Sequence, residues 1–132
     1  MSSKTPLFKR ASAGLTLVEI TLVIAVLLMM ITVLFLGVNA YKKGSDRALC
    51  IQTISTVQKA VRSYANLNAL STGVSVANLK DQIIAPDGFI TAEPECRGGG
   101  TYSFGGDVIP LPGVAYMSCS ISDHLPSGTS SW

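Results

Sequence analysis

The sequence predicts an α+β protein: a long N-terminal helix, its first half of membrane-spanning length, packed through its second half against a small antiparallel β-sheet head. Three observations predict it. From Ile20 to Tyr41 no side chain carries a charge, and such a run makes about 22 residues, or roughly 33 Å of helix, which crosses a bilayer. Cys50, Ile54, Val57, Val61 and Tyr64 then recur at helical steps, the mark of one buried stripe on an amphipathic helix. Finally, short runs that alternate polar and apolar residues, bounded by Gly and Pro, follow residue 100, as strands of a small sheet do.

The chain divides accordingly into a leader (1–14), an apolar helix (15–41), an amphipathic continuation (42–70) and a head (71–132) with a mobile tail. The leader is short and polar, carries Lys4, Lys9 and Arg10, and stops at Gly14. One acid, Glu19, lies at the mouth of the apolar run. A carboxylate within a membrane costs a few kcal/mol, so it is expected to have a partner and a task. The rest of the chain is close to neutral: removing the three leader cations from the ten basic residues leaves seven against eight acidic ones. No basic face for nucleic acid is expected from such a balance. With 132 residues, removing the leader and the apolar helix leaves roughly 90 residues to form the water-soluble part, which has a thin core.

Gly14 followed by Leu-Thr-Leu-Val-Glu and an apolar helix resembles the processing site of type IV pilins and type II secretion pseudopilins. The resemblance implies that a membrane-embedded prepilin peptidase cuts between Gly14 and Leu15 and that the new amino group of Leu15 is methylated. It also implies an N-terminus that starts on the cytoplasmic side of a bacterial inner membrane. By charge alone, Lys4, Lys9 and Arg10 favour that orientation while Lys42, Lys43 and Arg47 oppose it. The first mature residue of such proteins is most often Phe, where this chain has Leu15; many also carry a Pro within the apolar segment, where this chain has only Gly37 as a weak point.

Two rival readings exist for the N-terminal region. Val38-Asn39-Ala40 has the small-x-small pattern of a signal peptidase site, and cleavage there would free a secreted domain beginning at Tyr41. Against it, the apolar run is longer than an ordinary signal core, and such a signal has no use for Glu19. The other rival, a single-pass protein that only displays its head, accounts for the anchor but not for Gly14 and Glu19 together.

Beyond the membrane-length run, Lys42-Lys43-Gly44-Ser45-Asp46 is a possible kink, since Gly and Ser weaken a helix without stopping it. The helix is expected to end near Ser71-Thr72-Gly73. Val76 to Ile84 suggests a short helix capped by Ser75, with a turn at Ala85-Pro86-Asp87-Gly88. Cys96 and the three glycines Gly98, Gly99 and Gly100 form a loop. Thr101 to Phe104 reads as a strand, Gly105-Gly106-Asp107 as its turn and Val108-Ile109 as the start of a return, which Pro110 and Pro112 interrupt. Ala115 to Ile121 is the last strand, with Ala115, Met117, Cys119 and Ile121 on one face, so Cys119 is expected to point toward the helix stripe that contains Cys50. The order Cys96, Gly-Gly-x-Tyr, Cys119-Ser120 and His124 also resembles pilin-like proteins of bacterial secretion and competence systems, in which the first Cys is often followed by Pro rather than Arg97.

Three cysteines outside the cytoplasm leave three arrangements open. A Cys96–Cys119 disulfide with Cys50 free would bracket the sheet and stabilise the head by roughly 3 kcal/mol in the chain-entropy model. A pairing through Cys50 is the second arrangement. The third is zinc held by Cys50, Cys96, Cys119 and His124, a Cys3His set that lacks the usual Cys-x-x-Cys pair.

No enzyme is expected. His124 is the sole histidine, and Ser120, Asp123 and His124, though neighbours in sequence, are read as a polar loop rather than a triad. The glycine run lacks the Lys-Ser/Thr of a phosphate loop. Glu93 and Glu95 are read as solvated charges; the resemblance to secretion pseudopilins leaves a calcium ligand among Asp87, Asp107 and Asp123 open, although the sequence has no dense acidic loop such as an EF-hand. No cofactor is expected.

The function the resemblance implies is structural. Extracted from lipid, apolar helices find one another, and a helical arrangement of copies can grow as a closed ring cannot. In that filament the amine of cleaved Leu15 pairs with Glu19 of a neighbouring subunit, compensating both buried charges. The implied partners are further copies of the chain, the inner membrane, the prepilin peptidase and methylase, and the pilus or secretion assembly machinery.

Overall fold

The computed structural model describes residue 14 and residues 16–132. The expectations placed on residues 1–13 and on Leu15, including the leader and the new amino terminus, lie outside the described residues. The described chain is α+β: helix α1 (Leu17–Leu67), a short helix α2 (Leu79–Ile83), strands β1 (Tyr102–Phe104) and β2 (Met117–Cys119), and single 3-10 turns at Ser122–His124 and Thr129–Ser131. Compactness divides the described residues into two units that part between Asn39 and Ala40.

In the first unit α1 begins with a cap. The Thr16 hydroxyl and carbonyl both accept the N–H of Glu19, at 3.3 and 3.0 Å, so Thr-x-x-Glu has the layout of a capping box, with the acid at the positive end of the helix. The Thr21 hydroxyl donates to the Val18 carbonyl, and that of Thr32 to the Leu28 and Met29 carbonyls. These hydroxyls are satisfied on their own helix, as an apolar surrounding requires. The apolar side chains have no such internal partners. Leu17, Met29, Phe35 and Leu36 are 81, 73, 68 and 76 % exposed, and α1 is the one helix among the described residues long and apolar enough to cross a membrane.

In the second unit α1 continues without a break in its helical backbone through Lys42–Asp46, where the sequence left a kink open. Cys50, Ile54, Val57 and Val61 are buried as their spacing predicts, together with Gln58, Ala60 and Ala65; Tyr64 is only partly buried against the core. The helix stops earlier than Ser71. Ala69 takes a left-handed φ of 52°, the Leu70 N–H returns to the Ala65 carbonyl at 2.8 Å and the Ala69 N–H to the Asn66 carbonyl at 3.3 Å. That pair of bonds is a Schellman ending built without its usual glycine.

Against the helix stripe lie Leu79 and Ile83 of α2, Ile109, Tyr116 and Met117, all nearly inaccessible to solvent. Helix α2 is not capped by Ser75: its first N–H, that of Leu79, is taken by Asp107 Oδ1 at 3.1 Å, and Ser75 instead bridges Val108. Strand order also differs from the hairpin expected at Gly105–Asp107. β1 pairs antiparallel with β2, Tyr102 opposite Cys119 and Phe104 opposite Met117, while Ile109 exchanges backbone bonds with Gly73 and Val74. Asp107 explains the change, since its carboxylate and carbonyl are committed to Leu79 and Val76 and pull the chain away from β1.

The segment Leu125–Trp132, expected to be mobile apart from its terminal Trp132, is folded back, with Trp132 held. Arg62 donates to the Pro110, Leu111 and Trp132 carbonyls at 2.8, 3.1 and 3.1 Å. The Trp132 carbonyl also accepts the Gly113 N–H at 3.0 Å.

Candidate functional site

Four elements of the head bring four donor side chains to one point. The helical stripe of α1 turns Cys50 inward, the alternation of β2 does the same for Cys119, the glycine loop supplies Cys96, and the 3-10 turn after β2 aims His124 back at it. All four are buried, and one ligand atom from each lies within 4.8 Å of every other. Cys96 Sγ is 3.8 Å from Cys119 Sγ and 3.4 Å from His124 Nδ1. All three thiols are free; the Cys96–Cys119 separation is well beyond the roughly 2.05 Å of a disulfide.

The glycines are part of this arrangement. A Cβ on Gly98 would meet His124 Cε1 at 2.6 Å, and one on Gly100 would meet Cys119 Sγ at 2.7 Å, so only bare backbone can pass this close. Gly99 has a φ of 82°, a left-handed value natural to glycine. The sequence identified this run as a loop but missed that two of its glycines form the wall of the cluster. Tyr102 was missed as well; its hydroxyl donates to Cys50 Sγ at 3.3 Å.

The sulfurs are electrostatically unequal. Burial, reinforced by Cys119 and Cys96 against the Tyr102 hydroxyl, pushes the Cys50 thiol up to about 12. Burial also pushes Cys96 up, but the Gly100 N–H, His124, the Gly98 N–H and Cys50 together outweigh it and hold that thiol at about 7. Burial and then Cys50 raise the Tyr102 hydroxyl above its ordinary value. Three sulfurs and an imidazole are a soft donor set, suited to zinc, copper or iron rather than to calcium or magnesium.

The other residues singled out from sequence do not converge. The Ser120 hydroxyl accepts the Thr101 N–H at 2.9 Å. Asp123 is exposed and faces Arg47 at 3.8 Å, while His124 turns inward to Cys96. Glu93 pairs with Lys80 at 2.8 Å, and Asp107 caps α2. Glu19 sits in the first turn of α1 with Thr16 as its described neighbour. No family model, curated protein or solved structure matches the chain.

Proposed function

We propose that the chain is a structural subunit of a type IV pilus, or of a type II secretion or competence pseudopilus, cut by a prepilin peptidase after Gly14 and polymerised through α1. The observation that carries the reading is the bare apolar surface of α1 before Asn39, broken by a single charge at Glu19. A surface of that size needs lipid or other apolar helices around it. In this reading the chain is first a single-pass protein of the bacterial inner membrane, then part of a periplasmic or extracellular filament. Its work is mechanical and involves no catalysis by the chain itself.

The capping contact between Thr16 and Glu19 favours a second reading, because an acid at the third helical position serves any helix start. An anchor that merely displays the head would keep it for that reason alone. Filaments of the wild-type chain would exclude a mere display anchor, and the Glu19→Gln variant then separates charge pairing from capping, since Gln preserves the capping layout and removes the charge. In the native cell the filament reading expects Glu19→Gln to reach the membrane in normal amounts yet yield few or no filaments by electron microscopy. Wild-type filament numbers from that variant would favour the capping role and exclude the charge pairing.

A further inference from the structure

We propose that Cys50, Cys96, Cys119 and His124 together bind one zinc ion in a closed tetrahedral site that ties α1 to the glycine loop and the end of β2. The inference rests on the head alone and does not depend on the filament reading.

Geometry is the first support. Zinc holds sulfur at about 2.3 Å and imidazole nitrogen at about 2.0–2.1 Å, so tetrahedral donors stand about 3.8 Å apart sulfur to sulfur and about 3.5 Å apart sulfur to nitrogen. The two donor pairs in contact with Cys96 stand at 3.8 and 3.4 Å. A disulfide between any two of the thiols would leave the third, and the only histidine of the chain, buried at the same point without a common purpose.

Second, the surroundings suit a metal thiolate. Zinc with three thiolates and a neutral imidazole carries one net negative charge, which donors aimed at the sulfurs disperse. The Tyr102 hydroxyl is such a donor, directed at Cys50 Sγ at 3.3 Å. Gly98 and Gly100 admit no side chain without striking His124 or Cys119, so the loop is fitted to the donors. Four protein ligands fill the coordination sphere, which makes the site structural rather than catalytic. On binding, three thiol protons pass to solvent and three sulfur–zinc bonds and one nitrogen–zinc bond form; the metal keeps its oxidation state, and no oxidant or reductant is needed.

Third, the head has reason to use one. Its core is small, and domains of this size commonly add a metal or disulfides to what burial supplies. A single ion here would join residues 50, 96, 119 and 124, which local sequence contacts cannot hold together.

The test uses the full chain in detergent micelles, purified without a metal-binding tag, with zinc measured by elemental mass spectrometry and thiols by alkylation. About one zinc per chain is expected, with all three thiols protected until the metal is chelated. Loss of a direct ligand in Cys50→Ser should weaken zinc by more than about 100-fold, beyond the cost of outer-shell changes. His124→Cys should keep stoichiometric zinc where His124→Ala does not. Should the variants fail to fold, cobalt loaded into the wild-type chain should give the strong visible bands of a tetrahedral thiolate site. A zinc-free folded chain carrying a Cys96–Cys119 disulfide would overturn the proposal. So would three readily alkylated thiols in excess zinc, absent tetrahedral cobalt bands, or unchanged zinc affinity in Cys50→Ser.

Discussion

Gln58 holds the backbone of Tyr116: its Oε1 accepts the Tyr116 N–H at 2.7 Å while its Nε2 donates to the Val114 carbonyl at 3.1 Å. Gln58 is 3 % exposed, in the middle of an otherwise apolar stripe. The bond matters because Tyr116 leads into β2 and therefore sets where Cys119 lies. Gln58→Leu fills the same space but leaves a buried N–H unpaired, at about 1–3 kcal/mol. Urea unfolding of the variant in micelles should show an unfolding free energy lowered by that amount, read from a lower midpoint at unchanged slope.

Ala69 ends α1 in a left-handed conformation that costs an L-residue roughly 1–2 kcal/mol. Ala69→Gly removes that cost but gives the unfolded chain more freedom, worth about 0.4–1 kcal/mol. The net expectation is a stabilisation of about 0.5–1 kcal/mol, read as a melting temperature raised by a few degrees. A lowered melting temperature would mean that Ala69 is held by something other than the Schellman ending.

Arg62 reaches three carbonyls from one planar group. Arg62→Lys keeps the charge but not the fork, so it should fail to restore what Arg62→Ala loses. Both variants should speed hydrogen exchange across residues 125–132, with a stability loss of about 1–3 kcal/mol. Unchanged exchange there would show that the tail is held independently of Arg62.

Gly100 passes within contact of Cys119 Sγ, whereas the space a side chain would occupy at Gly99 is open. Gly100→Ala should displace Cys119 and weaken zinc by about 10–100-fold. Gly99→Ala should cost about 1–2 kcal/mol of stability through its φ, with zinc affinity little changed. Isothermal titration of the two variants separates a wall of the site from a strained turn.

Much of this was legible in the sequence where periodicity carries the information. The spacing from Cys50 to Val61 fixes a buried face, and the alternation from Met117 to Cys119 turns Cys119 toward it. His124 could be named as a donor but not placed, because a turn after a strand has no period to read. Partners far apart in sequence were missed for the same reason: Asp107 capping Leu79, Arg62 holding Trp132, and β1 pairing across to β2 rather than to Val108. Gln58 was passed over because polarity on a helix usually marks the wet face, and here it satisfies buried backbone instead. The Thr16–Glu19 capping layout was there to be read and competes with any assembly role for that acid.

The amino terminus of the chain recovered from its own cells tests the central claim most directly. Tandem mass spectrometry of that terminus should find a chain beginning at Leu15 with a methylated amine, in sheared filament fractions. A chain that polymerises with residues 1–14 still attached, or one that begins at Tyr41 and stays monomeric, would contradict the account.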